Sequence, residues 1–192
     1  MNIENYIKVY DNFLKPEAVS SLLIWLSKQH FETAKVVGAD TQLIKKEIRK
    51  TQTLSFNITR QSSQTLIHWH NYLCSRILEF VRIYEKETTP FDGAGVKGIN
   101  DLSALKYEET GFYKFHTDHH FNFPRTLTAI ILLNNDYKGG ELEFGYSHNH
   151  ESFLKIEPKV GRLILWPSNF LFPHRVNPVS EGIRYSLVSW MF

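Results

Sequence analysis

The sequence predicts an α+β fold in which a β-rich C-terminal half forms an antiparallel, jelly-roll-like sandwich or barrel. Two stretches with helical spacing of apolar residues lie before residue 90, and about eight short β-rich runs follow from residue 102. Turn residues separate most of these runs, and no helical pattern interrupts them. Because short strands in succession are typical of antiparallel sandwiches and barrels, we expect the two helices to cover one sheet.

The two helices are predicted over residues 16–29 and 63–85. Pro16 suits the first turn of a helix, and a stripe follows at helical spacing: Val19, Leu22, Leu23 and Leu26. Ser62 and Ser63 are good N-caps, and the second stripe comprises Leu66, Trp69, Leu73, Ile77, Phe80 and Tyr84. We expect a single domain over residues 1–192, with helical support over about 1–90 and the β core over about 100–192.

The remaining segments are assigned from turn residues and β-propensity. Residues 36–50, which include Gly38 and several lysines, lie between the two helices with no helix or strand assigned, and residues 91–100, with their three glycines, are predicted to form a loop. A strand is predicted at 51–58. The C-terminal strands are predicted at 102–107, 112–115, 126–133, 141–146, 152–156, 162–166, 171–176 and 183–190.

Composition excludes several classes of function. The 192 residues include 22 basic and 20 acidic side chains, a balance that argues against a nucleic-acid or membrane-surface partner. The longest near-apolar run, residues 127–133, is far shorter than the roughly 20 residues of a membrane helix, and the N-terminal residues lack a signal-peptide pattern. The single cysteine, Cys74, allows no internal disulfide, so we expect a reducing, cytoplasmic location.

Histidines are unusually concentrated between residues 116 and 174, where six of the nine occur. His116 and Asp118 follow a predicted strand, and period-two alternation places them on the same face. His174, between apolar runs, is the candidate third ligand. Two histidines and one carboxylate leave three positions open and suit non-haem Fe(II), whereas zinc more often has a tetrahedral site with one open position. The other four are expected to be loop residues: His119, His120, His148 and His150.

Arg184 is the candidate anion-binding residue. It begins the strand that follows the one carrying His174, so it is expected deep in the same cavity. A buried arginine needs a counter-anion, and residues 183–192 contain no acidic side chain. The guanidinium fork can hold a carboxylate bidentately, which favours a dicarboxylic cosubstrate.

In this order, these residues resemble the 2-oxoglutarate- and Fe(II)-dependent oxygenases, most closely the prolyl-4-hydroxylase type. The similarity covers roughly residues 6–192, and its specific part is C-terminal. The matching segments are Tyr107 with Gly111-Phe-Tyr113-Lys-Phe-His116-Thr-Asp118, then Arg125-Thr-Leu-Thr128, Leu133-Asn134, Gly139-Gly140-Glu141, Pro158-Lys-Val-Gly161-Arg162, and finally His174, Arg184-Tyr185-Ser186-Leu187 and Trp190. A weaker match opens the chain at Asp11-Asn-Phe13-Leu14.

The resemblance implies a double-stranded β-helix and a set of site residues. Fe(II) would be held by His116, Asp118 and His174, and 2-oxoglutarate would chelate the iron while its far carboxylate meets Arg184. Residues expected around the cosubstrate are Tyr107, Val176, Trp190 and Leu132. The collagen-type enzymes usually have lysine at the position of Arg184, and some branches that have arginine there carry tyrosine at the position of Leu132.

The implied reaction is hydroxylation of an unactivated C–H bond with O2, releasing succinate and CO2, with ascorbate as a further expected reductant. The first-choice substrate is a prolyl residue in a peptide or protein, acted on by a monomer or small homo-oligomer. Residues 37–47 are expected to close over the substrate, and Arg125, Tyr113 and Trp166 to contact it. The alternatives are a hydroxylase of a free amino acid or small metabolite, and a catalytically silent binding module.

Overall fold

The computed structural model describes residues 2–37, 42–89, 93–149 and 151–192. Its two α-helices are α1 (Pro16–Leu26) and α2 (Gln64–Thr88), and a 3-10 helix spans Ile3–Tyr6. The Ser63 side chain caps α2 by accepting a hydrogen bond from the backbone N–H of Leu66 at 3.2 Å. The first helix ends earlier than predicted because the chain tightens into turns there, with the backbone N–H of Gln29 bonded to the carbonyl of Leu26.

Sixteen short strands are assigned in the described residues. They are β1 (Lys8–Tyr10), β2 (Glu32–Thr33), β3 (Val36–Val37), β4 (Gln42–Leu43), β5 (Arg49–Lys50), β6 (Gln52–Ser55), β7 (Ile99–Tyr107), β8 (Phe112–His116), β9 (Leu127–Leu132), β10 (Lys138–Gly139), β11 (Leu142–Gly145), β12 (Ser152–Ile156), β13 (Leu163–Pro167), β14 (His174–Val176), β15 (Val179–Glu181) and β16 (Arg184–Met191).

Two antiparallel sheets make up the β core, which confirms the predicted α+β class and its double-stranded β-helix. The larger sheet has the order β1-β13-β9-β16-β7-β6-β2, and the smaller has the order β12-β11-β14-β8-β5. Side chains of both sheets meet in one interior cluster, for example Ile130 and Ile164 from the larger sheet and Phe144 and Val176 from the smaller. The interior between the sheets is therefore the place where residues of distant strands can converge.

The larger sheet packs its other face on the helices. Leu187 in β16 belongs to a second cluster that includes Leu22 of α1 and Leu73 of α2. Neighbouring Val188 belongs to the interior cluster instead. This period-two alternation gives each central strand one side chain for the helices and the next for the interior.

Two connecting segments contain short strands that the sequence did not reveal. The segment 36–50 carries the antiparallel pair β3 and β4 and also strand β5, and the segment 178–182, in which turn residues follow the predicted strand 171–176, carries β15, which pairs with β10. Strands of two or three residues are too short to show a period-two pattern, so they escape recognition in the sequence. Gly38 and Pro90 lie outside the described residues. Within the described residues, no helix has the length and apolar character needed to cross a membrane.

Candidate metal centre

The smaller sheet brings two histidines side by side. His116 ends β8, His174 begins β14, and the two residues are directly paired across these antiparallel strands. Asp118 follows β8 by two residues and turns its carboxylate toward both rings. The candidate ligand atoms of the three residues all lie within 4.8 Å of one another. The geometry thus brings the three predicted side chains together, and they form a group that could hold a metal ion.

Both imidazoles are held with the same nitrogen facing the shared space. His116 Nδ1 donates to the carbonyl of Lys114 at 2.8 Å, and His174 Nδ1 donates to the carbonyl of Phe172 at 3.1 Å. A carbonyl can only accept, so each Nδ1 carries the proton and each Nε2 presents a lone pair. The Nε2 atoms lie 3.7 Å and 3.4 Å from the two oxygens of Asp118. Such anchoring fixes both the tautomer and the direction of a metal-binding histidine.

The carboxylate of Asp118 is oriented by a buried hydroxyl chain. Thr128 Oγ1 donates to Asp118 Oδ2 at 2.8 Å and lies 2.8 Å from Ser168 Oγ. Arg125 contributes from the other side, where its Nη1 donates to the backbone carbonyl of Asp118 at 3.1 Å. Oδ2 accepts from Thr128 and also faces His174, while Oδ1 faces His116, so the carboxylate is held between the two histidines. Partners of this kind tune a metal ligand and hold it in place.

Burial and mutual charge set the protonation of His116 and Asp118. Burial, reinforced by the neighbouring His174, lowers the pKa of His116 to about 3. Burial alone would raise the pKa of Asp118, but His174, His116 and Arg125 outweigh it and keep that pKa below its usual value. A neutral imidazole and an ionised carboxylate are the forms that bind a divalent metal. The group therefore fits a first-row metal with two nitrogen ligands and one oxygen ligand.

Arg184 is fully buried in the interior and lacks a carboxylate partner. Its Nη1 donates to Ser186 Oγ at 2.7 Å and its guanidinium carbon lies 5.2 Å from the centre of the Tyr107 ring. Its Nε and Nη2 have no hydrogen-bond partner, and no described carboxylate lies within 4.0 Å of it. Two buried, unpaired donors on a permanent cation are costly unless an anion pairs with them. The donor set fits a carboxylate group.

The other residues expected around the cosubstrate divide between two places. Tyr107, Val176 and Leu132 belong to the buried interior cluster with Arg184 close by, because Arg184 pairs with Tyr107 across β16 and β7. Trp190 lines an open cavity instead, where the guanidinium of Arg125 lies 3.7 Å from its ring centre. Trp166, expected to contact substrate, is fully buried and packs edge-on against His174 at 4.9 Å between ring centres.

An open cavity of about 670 Å³ leads from the surface to His116 and Asp118. Tyr113 and Arg125, which were predicted to contact the substrate, line this cavity, and the Tyr113 ring stacks on His116 with 3.5 Å between centres. Lys45, which belongs to the segment 37–47 that was expected to close over a substrate, also lines the cavity, as does neighbouring Ile48; residues 38–41 of that segment lie outside the described part.

The remaining histidines of the cluster take no part in the three-residue group. His119 and His120 line the cavity, and the backbone N–H of His119 donates to the carbonyl of Ser168 at 2.9 Å. His148 is exposed in a turn, as a loop residue would be. His150 lies outside the described residues.

Sequence reasoning missed four residues that the fold brings to the site. Thr128 and Ser168 support Asp118, while Arg49 and Asp101 line the cavity from β5 and β7. Burial raises the pKa of Asp101, although Arg125 partly offsets this effect. A signal was present for Thr128, which belongs to the quoted Arg-x-x-Thr segment, but the other three have no local pattern that marks them.

A β-helix interior with two histidines and one carboxylate at its mouth defines the class of facial-triad proteins with a non-haem metal. The model of the 2OG-Fe(II) oxygenase superfamily matches residues 102–192, the segment that contains the triad and Arg184. This segment of the chain belongs to that superfamily.

Over about half of its length, the chain is similar in sequence to a curated hydroxylase. A PKHD-type hydroxylase of Synechococcus sp. (strain JA-2-3B'a(2-13)) is 36% identical over 103 residues, which are 50% of this chain and 44% of that protein. The alignment thus spans less than half the length of this curated relative.

Two solved structures share the fold over nearly the whole chain. A prolyl hydroxylase from Trichoplax adhaerens, in complex with a peptide fragment of the hypoxia inducible factor oxygen degradation domain, has a TM-score of 0.77 at 20% identity and covers 98% of this chain and 84% of that one. A prolyl-4-hydroxylase from Pseudomonas putida has a TM-score of 0.71 at 20% identity, and the match covers 97% of this chain and 92% of that one.

Proposed function

We propose that this protein is an Fe(II)- and 2-oxoglutarate-dependent dioxygenase that hydroxylates a prolyl residue of a peptide or protein. The observation that carries the proposal is the convergence of His116, Asp118 and His174 within 4.8 Å, with His116 and Asp118 lining an open cavity. The unpaired donors of Arg184, which lies in the interior between the sheets, support a carboxylate cosubstrate. A metal alone would not require that arginine, whereas a dicarboxylate cosubstrate would.

The residues present fit the iron and its cosubstrate. Fe(II) would be held by Nε2 of His116, Nε2 of His174 and the carboxylate of Asp118, and it would supply the oxidising chemistry together with O2 and 2-oxoglutarate. Arg184 would bind the far carboxylate of 2-oxoglutarate through the donors that now lack a partner. Val176 and Leu132 provide apolar walls that exclude water from this carboxylate, which strengthens its attraction to the guanidinium.

The chain's other contribution is orientation. The carbonyls of Lys114 and Phe172 hold the imidazoles, and Thr128 holds the carboxylate, so the three ligands are set before a metal arrives. Trp166 packs against His174 and fixes the ring from the side, which gives it a supporting role in place of the expected substrate contact. Trp190 is better placed beside the substrate with Arg125 than beside the cosubstrate.

A peptide or protein substrate is supported by the open cavity and by the hydroxylases to which the chain is similar. The cavity has a volume of about 670 Å³ and is open to solvent, and residues as far apart in the chain as Lys45 and His119 line it, which leaves room for a segment of extended chain. We also propose that the 192 residues work as one domain, because the helix-side core joins Leu22 and Leu73 to Leu187 of the β half. The reducing, cytoplasmic location and the ascorbate requirement stay parts of this proposal.

The test is succinate release on a library of proline-containing peptides, with product mass measured for each. We expect peptide-dependent succinate and a mass gain of one oxygen atom, both abolished in His174→Ala, and the position of the hydroxyl on the ring can be read by NMR. Turnover of free amino acids but not of peptides would favour the small-metabolite alternative. Failure of Fe(II) and 2-oxoglutarate to give a visible charge-transfer band anaerobically would favour a silent binding module. Adding and omitting ascorbate tests its role as reductant.

A further inference from the structure

Arg49 is a second buried arginine close to the metal-binding group. It lies in β5 and pairs directly with Tyr113 of β8, while the backbone N–H of Lys114 donates to the carbonyl of Ile48 at 2.9 Å. These backbone contacts fix Arg49 beside the strand that carries His116. The residue is only 9% exposed and lines the open cavity.

The guanidinium of Arg49 is held in place but its charge is not neutralised. Its Nη1 donates to the carbonyl of Lys35 at 3.1 Å, and its central carbon lies 4.7 Å from the centre of the Tyr113 ring. Its Nε is buried and has no hydrogen-bond partner, and none of the described carboxylates lies within 4.0 Å of its nitrogens. A buried arginine in a structural role is expected to have an acidic partner, because an unpaired buried charge is costly.

The surroundings of Arg49 favour an anion. Lys35 and Lys45 line the same cavity and come from the same N-terminal segment of the chain. The acidic residues that line the cavity, other than the metal-binding group, are Glu32 and Asp101. A positively charged edge of this kind attracts and orients a negatively charged group of a ligand.

We propose that Arg49 recognises a carboxylate of the substrate and thereby selects which residues enter the site. The inference rests on the proposed function in that the cavity is taken to hold the substrate. The planar guanidinium, steadied by Tyr113, offers one carboxylate the donors that do not bind the Lys35 carbonyl. That carboxylate is either an acidic side chain beside the hydroxylated residue or the carboxyl terminus of the substrate.

Binding of matched peptides tests the proposal without turnover. Three peptides share a central proline: one has glutamate beside it and an amidated end, the second has glutamine and an amidated end, and the third has glutamine and a free carboxyl end. Their affinities are measured by calorimetry under anaerobic conditions, with constant Fe(II) and 2-oxoglutarate, for wild type, Arg49→Gln and Arg49→Lys. Arg82→Gln, which removes an exposed arginine from α2, is the matched control.

We expect wild type to bind at least one carboxylate peptide roughly 10- to 100-fold more tightly than the glutamine amide, the range of a charge-assisted hydrogen bond. The preference should vanish in Arg49→Gln, persist in part in Arg49→Lys and remain intact in Arg82→Gln. If the glutamate peptide binds more tightly, the carboxylate is a side chain; if the peptide with the free carboxyl end does, it is the chain terminus. Equal binding of all three peptides, no binding, or a preference that survives in Arg49→Gln would overturn the proposal.

The outcome separates this inference from the proposed function. An Arg49-dependent carboxylate preference without hydroxylation in air would leave the inference standing and reject the prolyl hydroxylase. Hydroxylation of proline-containing peptides without a carboxylate preference would support the proposed function and reject the role of Arg49. Circular dichroism of each variant confirms that a lost preference does not reflect unfolding.

Discussion

The two faces of the large sheet are built from the same strands but carry different chemistry. The face toward the helices is mostly apolar, with Ala129, Leu165 and Leu187 packed against α1 and α2. The interior face of those strands carries Thr128 and Arg184 among apolar neighbours. Because side chains alternate along a strand, one face of the sheet stabilises the fold and the other carries the site. The buried polar groups on the interior face reduce the stability of the fold, which the apolar contacts of the helix face offset.

The helix face should show the largest effect on stability. Leu187 is fully buried between the sheet and the helices, so Leu187→Ala removes apolar contacts and leaves a cavity. We expect the free energy of unfolding in urea to fall by about 2–5 kcal/mol, with activity per folded molecule retained. Ser103→Ala, on the interior face of the neighbouring strand β7, loses only two long hydrogen bonds of 3.4 Å to Asp101, so it is the control and should change stability much less. Similar losses in both variants would contradict the division between the faces.

The interior face should show the largest effect on cosubstrate binding. Arg184→Met keeps most of the side-chain length and removes the charge, so the far carboxylate of 2-oxoglutarate loses its partner. We expect the apparent KM for 2-oxoglutarate in the succinate assay to rise by about 100-fold, as for two charge-assisted hydrogen bonds. Arg82→Met serves as the exposed control. An unchanged KM in Arg184→Met would place the cosubstrate elsewhere.

The hydroxyl behind Asp118 should have a smaller effect on the metal. Thr128→Val keeps the shape of the side chain and removes the donor to Asp118 Oδ2. We expect the affinity for Fe(II) or Co(II), measured by anaerobic titration, to fall about 10- to 100-fold, the usual cost of losing such a partner. Thr128→Ser retains the hydroxyl and should restore most of the affinity. If serine and valine weaken binding equally, the effect comes from packing and not from the hydrogen bond.

Asp101 should show the smallest effect, and one that depends on pH. Burial raises its pKa in the folded protein above the value of about 3.9 in the unfolded chain, so the folded state binds more protons than the unfolded state in the window above that value. Stability contributed by the protonated form is therefore lost as pH rises through the folded pKa. We expect Asp101→Asn to have a higher melting temperature than wild type at pH 7, with the difference shrinking at pH 3. A constant difference across this range would rule out titration of Asp101 as the cause.

Local patterns were sufficient for the parts of the site that lie close together in the chain. His116-x-Asp118 was recognisable because two residues of one strand end point the same way. His174 was recognisable from its place between apolar runs and Arg184 from the strand that follows, and the resemblance to the oxygenases agreed with both. Ser168 and Arg49 could not be recognised in this way. Ser168 reaches Asp118 only through Thr128, forty residues earlier in the chain, and Arg49 reaches the cavity only because a two-residue strand pairs with β8.

The sequence by itself determined the α+β class, the two helices, most of the C-terminal strands and the residues that make up the candidate metal centre. Only the tertiary structure decided that Trp166 supports His174, that Trp190 belongs to the open cavity, and that Arg49 and Arg184 are both buried without acidic partners. The physical reason is that hydrophobic period and turn residues are local properties of the chain, whereas burial and charge pairing depend on which strands become neighbours.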